Sequence, residues 1–189
     1  MDIQELEHQH RIIDMMLSGH SKLRDDNHRL AVAVNLLLLC SSVVLSTLVF
    51  VDPAILSFLR IDSKVSQIVI GVCSTLVFLI SLIELRVDWK EKAARHSQAC
   101  EVLGKLKAEC RELLKSSQPD SQRIADQCKL SAQMLSTLPK IPEEKFHSLK
   151  AYHQAKKELS KLIDLYPGVP VWLLRIVLLF RGIKKLFLG

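Results

Sequence analysis

Two stretches of the chain run without a charged side chain for about the length of a bilayer crossing. Residues 30–51, LAVAVNLLLLCSSVVLSTLVFV, form the first, 22 residues long. Residues 65–83, VSQIVIGVCSTLVFLISLI, form the second, 19 residues long. As an α-helix the first would be about 33 Å long, enough to cross a hydrocarbon core of ~30 Å. Many of these residues are β-branched, but buried strands end after roughly 4–8 residues, so both stretches predict transmembrane helices. The alternative, a central hairpin inside a soluble bundle, would leave too little chain to enclose two such helices on every side. The link, Asp52 to Lys64, opens with Asp52-Pro53 and holds Ala54, Ile55, Leu56, Phe58 and Leu59. So short a connection predicts an antiparallel hairpin, its apolar link resting in the outer interface.

Elsewhere the apolar positions recur every three or four residues. Ile3, Leu6, His10, Ile13 and Leu17 predict an amphipathic helix ahead of the first span. From Glu84 to Ser116 there is no proline, and the second span is expected to continue as one unbroken stalk. Trp89, His96, Leu103 and Cys110 fall every seven residues, with Lys92, Ala99, Leu106 and Leu113 as companions. This imperfect heptad stripe suits helix pairing within or between chains. Ser116-Ser117-Gln118-Pro119-Asp120 breaks the pattern, and a helix over 121–138 then aligns Ile124, Cys128, Ser131, Leu135 and Leu138. Pro142-Glu143-Glu144 is a good helix start, because proline fits the first turn and the acids suit the positive end of the dipole. That helix is expected to reach Tyr166, with Phe146, Leu149, Tyr152, Leu159, Ile163 and Tyr166 as core contacts.

Pro167-Gly168-Val169-Pro170 stops it. The last segment carries Trp172, Leu173, Ile176, Leu179, Phe180, Ile183 and Phe187 on one helical face. Arg175, Arg181, Lys184 and Lys185 lie on the other. A basic amphipathic helix of this kind lies in the membrane interface; a core helix or an oligomer contact is the alternative. The fold class is therefore all-α: a membrane protein with a two-helix hairpin, a long post-membrane helix and a cytosolic helical bundle. Its parts are expected at 1–29 (N-terminal amphipathic helix), 30–83 (hairpin), 84–166 (cytosolic helices) and 167–189 (basic tail).

Charge refines this picture. The formal net charge is +6, which fits an anionic membrane surface, nucleic acid or an acidic partner. With two Tyr and two Trp, and no basic run interleaved with aromatics, nucleic acid is not an expected partner. Lys22, Arg24 and Arg29 precede the first span and Arg86, Lys90, Lys92 and Arg95 follow the second, against Arg60 and Lys64 in the link. Both termini should therefore face the cytoplasm. From the acidic, polar first residues no cleavable leader is expected. Five cysteines without a CxxC pair or Cys/His ligand spacing indicate a reduced cytosolic body rather than a disulfide framework.

No phosphate-binding loop, zinc motif or nucleophile elbow is present, so no catalytic residue, metal or cofactor is expected and the chain is not read as an enzyme. His8 and His10 diverge on a helix, as do His147 and His153. The spans are more informative. Asn35, Ser42 and Ser46 share one stripe of the first; Gln67, Gly71, Ser74 and Ser81 share one of the second. Small and polar residues glue transmembrane helices together, and they also line water paths once hairpins assemble. Neither stripe contains an ionisable group, which disfavours a proton relay.

The order of parts resembles a known family. A polar helix precedes two spans, then come ELRVDWKEKAARHSQACEVLGKLKAE and, past a proline-marked turn, IPEEKFHSLKAYHQAKKELSKLIDLYP. This is similar to SLATT proteins, two-transmembrane effectors associated with SMODS nucleotidyltransferases and SLOG domains. The resemblance is carried by His96, Phe146, Leu149, Lys150, His153, Leu159, Ser160, Ile163 and Pro167, and it covers roughly residues 5–170. It implies a bacterial antiviral effector that damages the inner membrane as a pore or lesion; the polar stripes and the heptad helix suggest that it does so as a homo-oligomer. The trigger it implies is a nucleotide signal, such as a cyclic nucleotide, and the outcome abortive infection. No sensor domain is visible here, so a separate sensor protein is expected, or the helical body itself binds the signal. The rival reading is a membrane anchor or scaffold recruiting a cytosolic partner; a weaker third is membrane remodelling by the hairpin and tail.

Overall fold

A computed structural model describes residues 3–49, 63–116 and 121–188. They form α1 (Ile3–Val49), α2 (Ser63–Val87), α3 (Trp89–Lys115), α4 (Ser121–Thr137), α5 (Glu143–Leu165) and α6 (Val171–Leu188). No strand occurs among the described residues, and the fold is that of an all-α membrane protein. The link expected at 52–64 lies, apart from its last two residues, outside the described residues. Two compact units are distinct: Arg24–Arg95, and Met1–Leu23 together with His96–Gly189.

The first unit holds the spans, within α1 and α2. Their apolar side chains stand open: Leu36, Leu37, Leu39, Val43 and Val44 in α1, and Ile68, Val69, Val72, Leu76 and Phe78 in α2, are each at least half exposed. In a soluble protein such surface would be an aggregation hazard; for segments of this length lipid is the fitting solvent. Among the described side chains, Ala31, Val34, Asn35, Leu38, Ser41 and Leu45 are covered in the first span, and Ile70, Val77, Ile80, Glu84 and Val87 in α2. Both sets follow the three-to-four spacing of a helix face.

The expected unbroken stalk is interrupted. Asp88 has φ 43°, a left-handed conformation that Asp tolerates better than most residues. Its N–H donates to Glu84 O at 2.9 Å, closing α2, and its Oδ1 accepts the Glu91 N–H at 2.9 Å, capping α3. The absence of Pro and Gly hides this break, because an aspartate serves both as helix stop and as N-cap.

The second unit is a helical body. Leu6 and Ile13 of α1 pack with Leu103, Leu106 and Cys110 of α3 and Ile124 and Cys128 of α4. The α4 face is as expected, with Ile124, Cys128 and Ser131 buried. In α5 the register differs: Leu149, His153 and Leu162 are buried, whereas Phe146, Tyr152, Ile163 and Tyr166 are exposed. A purely apolar search misses His153, whose polar ring occupies the middle of the buried stripe. Glu143 and Glu144 occupy the first turn of α5, and Lys145 N–H donates to Pro142 O at 3.0 Å. The Pro167–Pro170 turn follows, and α6 packs along α5.

Candidate functional site

The polar stripes of the spans bear directly on what the hairpin does. Asn35 is half-buried; Ser42, Ser46, Gln67, Gly71, Ser74 and Ser81 are all exposed. Each stripe therefore lies beside the covered face of its span, a fraction of a turn round the helix. Ser42 Oγ donates to Leu39 O at 2.8 Å, and two threonines do likewise, Thr47 to Val43 O at 3.0 Å and Thr75 to Gly71 O at 2.9 Å. These back-bonds satisfy the hydroxyl protons within the helix and leave oxygen lone pairs for a neighbour.

The helical body carries a polar clasp that fastens the front of α1 to α3 and α5. Lys107 Nζ donates to Asp14 Oδ1 at 2.6 Å. Ser18 Oγ donates to Asp14 O at 3.0 Å, and so accepts from His153 Nδ1 at 2.9 Å. The other ring nitrogen, Nε2, stands 3.8 Å from Asp14 Oδ2. The trio of Ser, His and Asp has no catalytic geometry: Ser18 is buried and its proton is engaged by the helix backbone. Burial works to raise the Asp14 pKa, but the Lys107 hydrogen bond and charge, aided by His153 and Lys157, hold it below the usual carboxylate range. Burial lowers the His153 pKa against the opposing pull of Asp14, and Lys157, Lys156 and Lys107 lower it further.

Further along α1, His20 Nδ1 lies 2.9 Å from His96 Nδ1. One ring must donate and the other accept, so the pair requires at least one neutral ring. His20 is wholly buried, and burial, then repulsion from His96, pushes its pKa down to about 4. His96 is lowered by burial and by Lys145. Among the described residues no cluster of three His, Cys, Asp or Glu side chains could hold a metal.

Two of the family-like positions, His96 and His153, thus become long-range anchors of α1. Phe146, Lys150 and Ser160 are exposed on α5. Sequence reading finds these histidines but misses Asp14, Ser18, His20 and Lys107. The i, i+4 spacing of Asp14 and Ser18 is a local signal, but their partners lie 93 and 135 residues away. The heptad stripe of α3 is used inside the chain: Leu103, Leu106 and Cys110 are buried and Leu113 packs against the same core. Trp89 is half-buried, in the span-bearing unit.

The C-terminal helix meets the body by one narrow stripe, with Leu174 buried and Leu178 half-buried. Trp172, Ile176, Leu179, Phe180 and Ile183 remain open, 41–68% exposed, with Arg175 and Arg181 also at the surface. The side chains of Lys184, Lys185 and Phe187 lie outside the described residues.

Comparison with protein families finds a match over residues 22–165, to the SMODS and SLOG-associating 2TM effector domain family 4. No curated protein and no solved structure matches the chain.

Proposed function

The chain belongs to family 4 of the SMODS and SLOG-associating two-transmembrane effector domains, and from that premise we propose that it is a bacterial antiviral effector that oligomerises and permeabilises the inner membrane. The observation that carries this reading is the placement of the polar stripes. In an antiparallel hairpin, stripes displaced in the same rotational sense from the covered faces come to one side of the pair. Asn35, Ser42 and Ser46 then join Gln67, Gly71, Ser74 and Ser81 along a single edge that faces lipid in a lone hairpin. Polar side chains toward lipid are unfavourable, so another copy is their natural cover, and several copies would enclose a polar lumen.

Both termini face the cytoplasm in this reading, and the body rests in the clasped state. An associated sensor system, through a partner protein or a nucleotide such as a cyclic nucleotide, shifts the balance between clasped and open packings by binding one of them better. Depolarisation then causes growth arrest or death of the infected cell. The exposed apolar face of α6, with Arg175 and Arg181 beside it, lies in the headgroup region and keeps the body at the bilayer. No catalytic step is assigned to any residue.

The test is a membrane-potential dye in cells carrying the native system, with phage as the trigger. The expected result is depolarisation that Asn35→Leu with Ser42→Leu abolishes. A potential that stays intact under full activation would overturn the proposal. Charge reversal on the cytosolic helices that abolishes protection while the leucine pair leaves it intact would favour the anchor-or-scaffold reading.

A further inference from the structure

A cavity of about 550 Å³ opens in the helical body between α1, α4, the 138–142 turn and α5. The volume is within the range of small-molecule sites. Its walls are Ile12, Met15, Leu138, Phe146 and Leu149, with Gly19 in the α1 backbone beside them. A Cβ at Gly19 would sit 3.3 Å from Ile141 Cδ1 and 3.6 Å from Leu149 Cδ1, so glycine lets the turn and α5 approach the helix backbone closely. The polar lining is sparse and of one sign. Ser136 spends its hydroxyl proton on Gln133 O at 2.7 Å. Lys140 and Lys150 stand exposed at the cavity, and no carboxylate lines it among the described residues.

From this we propose that the cavity binds an anionic amphiphile with a single alkyl chain, of the long-chain fatty acid class. The apolar wall takes the chain, and the two ammonium groups take the carboxylate. The adaptable side chain of Met15 suits an alkyl guest without fixed shape. A nucleotide is a poor fit, because its polar base and ribose would be desolvated against aliphatic walls without partners. The occupant would lie between α1 and the α4–α5 turn, beside the contact that the clasp secures. That a guest there loosens the clasp rests on the proposed function; binding itself does not.

The experiment uses the full chain, one copy per phosphatidylcholine nanodisc, and a diazirine-bearing palmitate analogue with the crosslinked peptides mapped by mass spectrometry. Labelling is expected on peptides containing Met15 and residues 135–150. Excess palmitate should compete it away, whereas hexadecylamine and a cyclic dinucleotide should not. Lys140→Glu with Lys150→Glu, which inverts two exposed attractions, should weaken capture on the order of tenfold. Met15→Trp, which fills the cavity, should abolish it while the circular-dichroism melt of the body is retained. Labelling confined to the spans, equal competition by hexadecylamine, or displacement by the dinucleotide would each overturn the assignment. Because the readout is capture rather than depolarisation, its failure is separable from failure of the membrane-effector reading.

Discussion

Asp88 performs two local tasks with one side chain, and each can be removed separately. Asp88→Ala deletes the cap on α3 and places a residue with a Cβ but no hydrogen-bonding side chain at φ 43°, costing about 1–2 kcal/mol of local helix stability. Asp88→Gly keeps the conformation and should cost only a few tenths of a kcal/mol, roughly. Hydrogen exchange across Trp89–Arg95 would read the difference, and equal effects of the two changes would argue against the cap. The histidine pair makes a pH prediction. His20 titrates at about 4 in the folded chain, below its ordinary 6.5, so the unfolded chain binds the extra proton first. Its contribution to stability is therefore complete above pH 6.5 and lost as pH falls toward 4. Denaturant unfolding of the body from neutral pH down toward the folded His20 value should show this loss, and His20→Leu with His96→Leu should flatten it. In the clasp itself, Asp14→Asn removes the charge-assisted bond to Lys107 and should cost roughly 1.5–3 kcal/mol.

At the scale of elements, the parts legible from sequence are those governed by local pattern. Uncharged length reveals the spans, and three-to-four spacing reveals α4 and the existence of α5. Proline placement marks the ends of α5. What stays hidden depends on tertiary partners. The α3 stripe is compatible with either self-association or internal packing, and nothing local distinguishes Leu6 and Ile13 of the same chain from a second copy. The register of α5 escapes a local reading because a buried histidine scores as polar until Ser18 and Asp14 are in view. The stop at Asp88 carries no Gly or Pro signal. Two substitutions probe elements directly. Leu103→Ala should cost about 2–5 kcal/mol, since Leu103 is fully buried at the α1–α3–α4 core. Leu179→Glu with Phe180→Glu should leave the body's melt unchanged, because both side chains are exposed. On the proposed interfacial placement of α6, the same pair should release it from lipid, seen as increased water accessibility of a spin label at Trp172.

For the whole molecule, the division of surfaces matters most. Leu103, Leu106 and Cys110 of the α3 stripe are buried within the body, so that part of the stripe is not left over for assembly. The polar stripes of the spans stay exposed, and the proposed assembly would bring copies together there. Cysteine crosslinking in membranes tests this most directly, in a Cys40→Ala, Cys73→Ala background that clears the two exposed thiols of the spans. Ser42→Cys and Ser74→Cys, on the polar edge, should crosslink into dimers when the defence system is triggered. Val44→Cys and Val69→Cys, on the open apolar faces, should not. Equal or stronger crosslinking at Val44 and Val69 would contradict assembly through the polar edge.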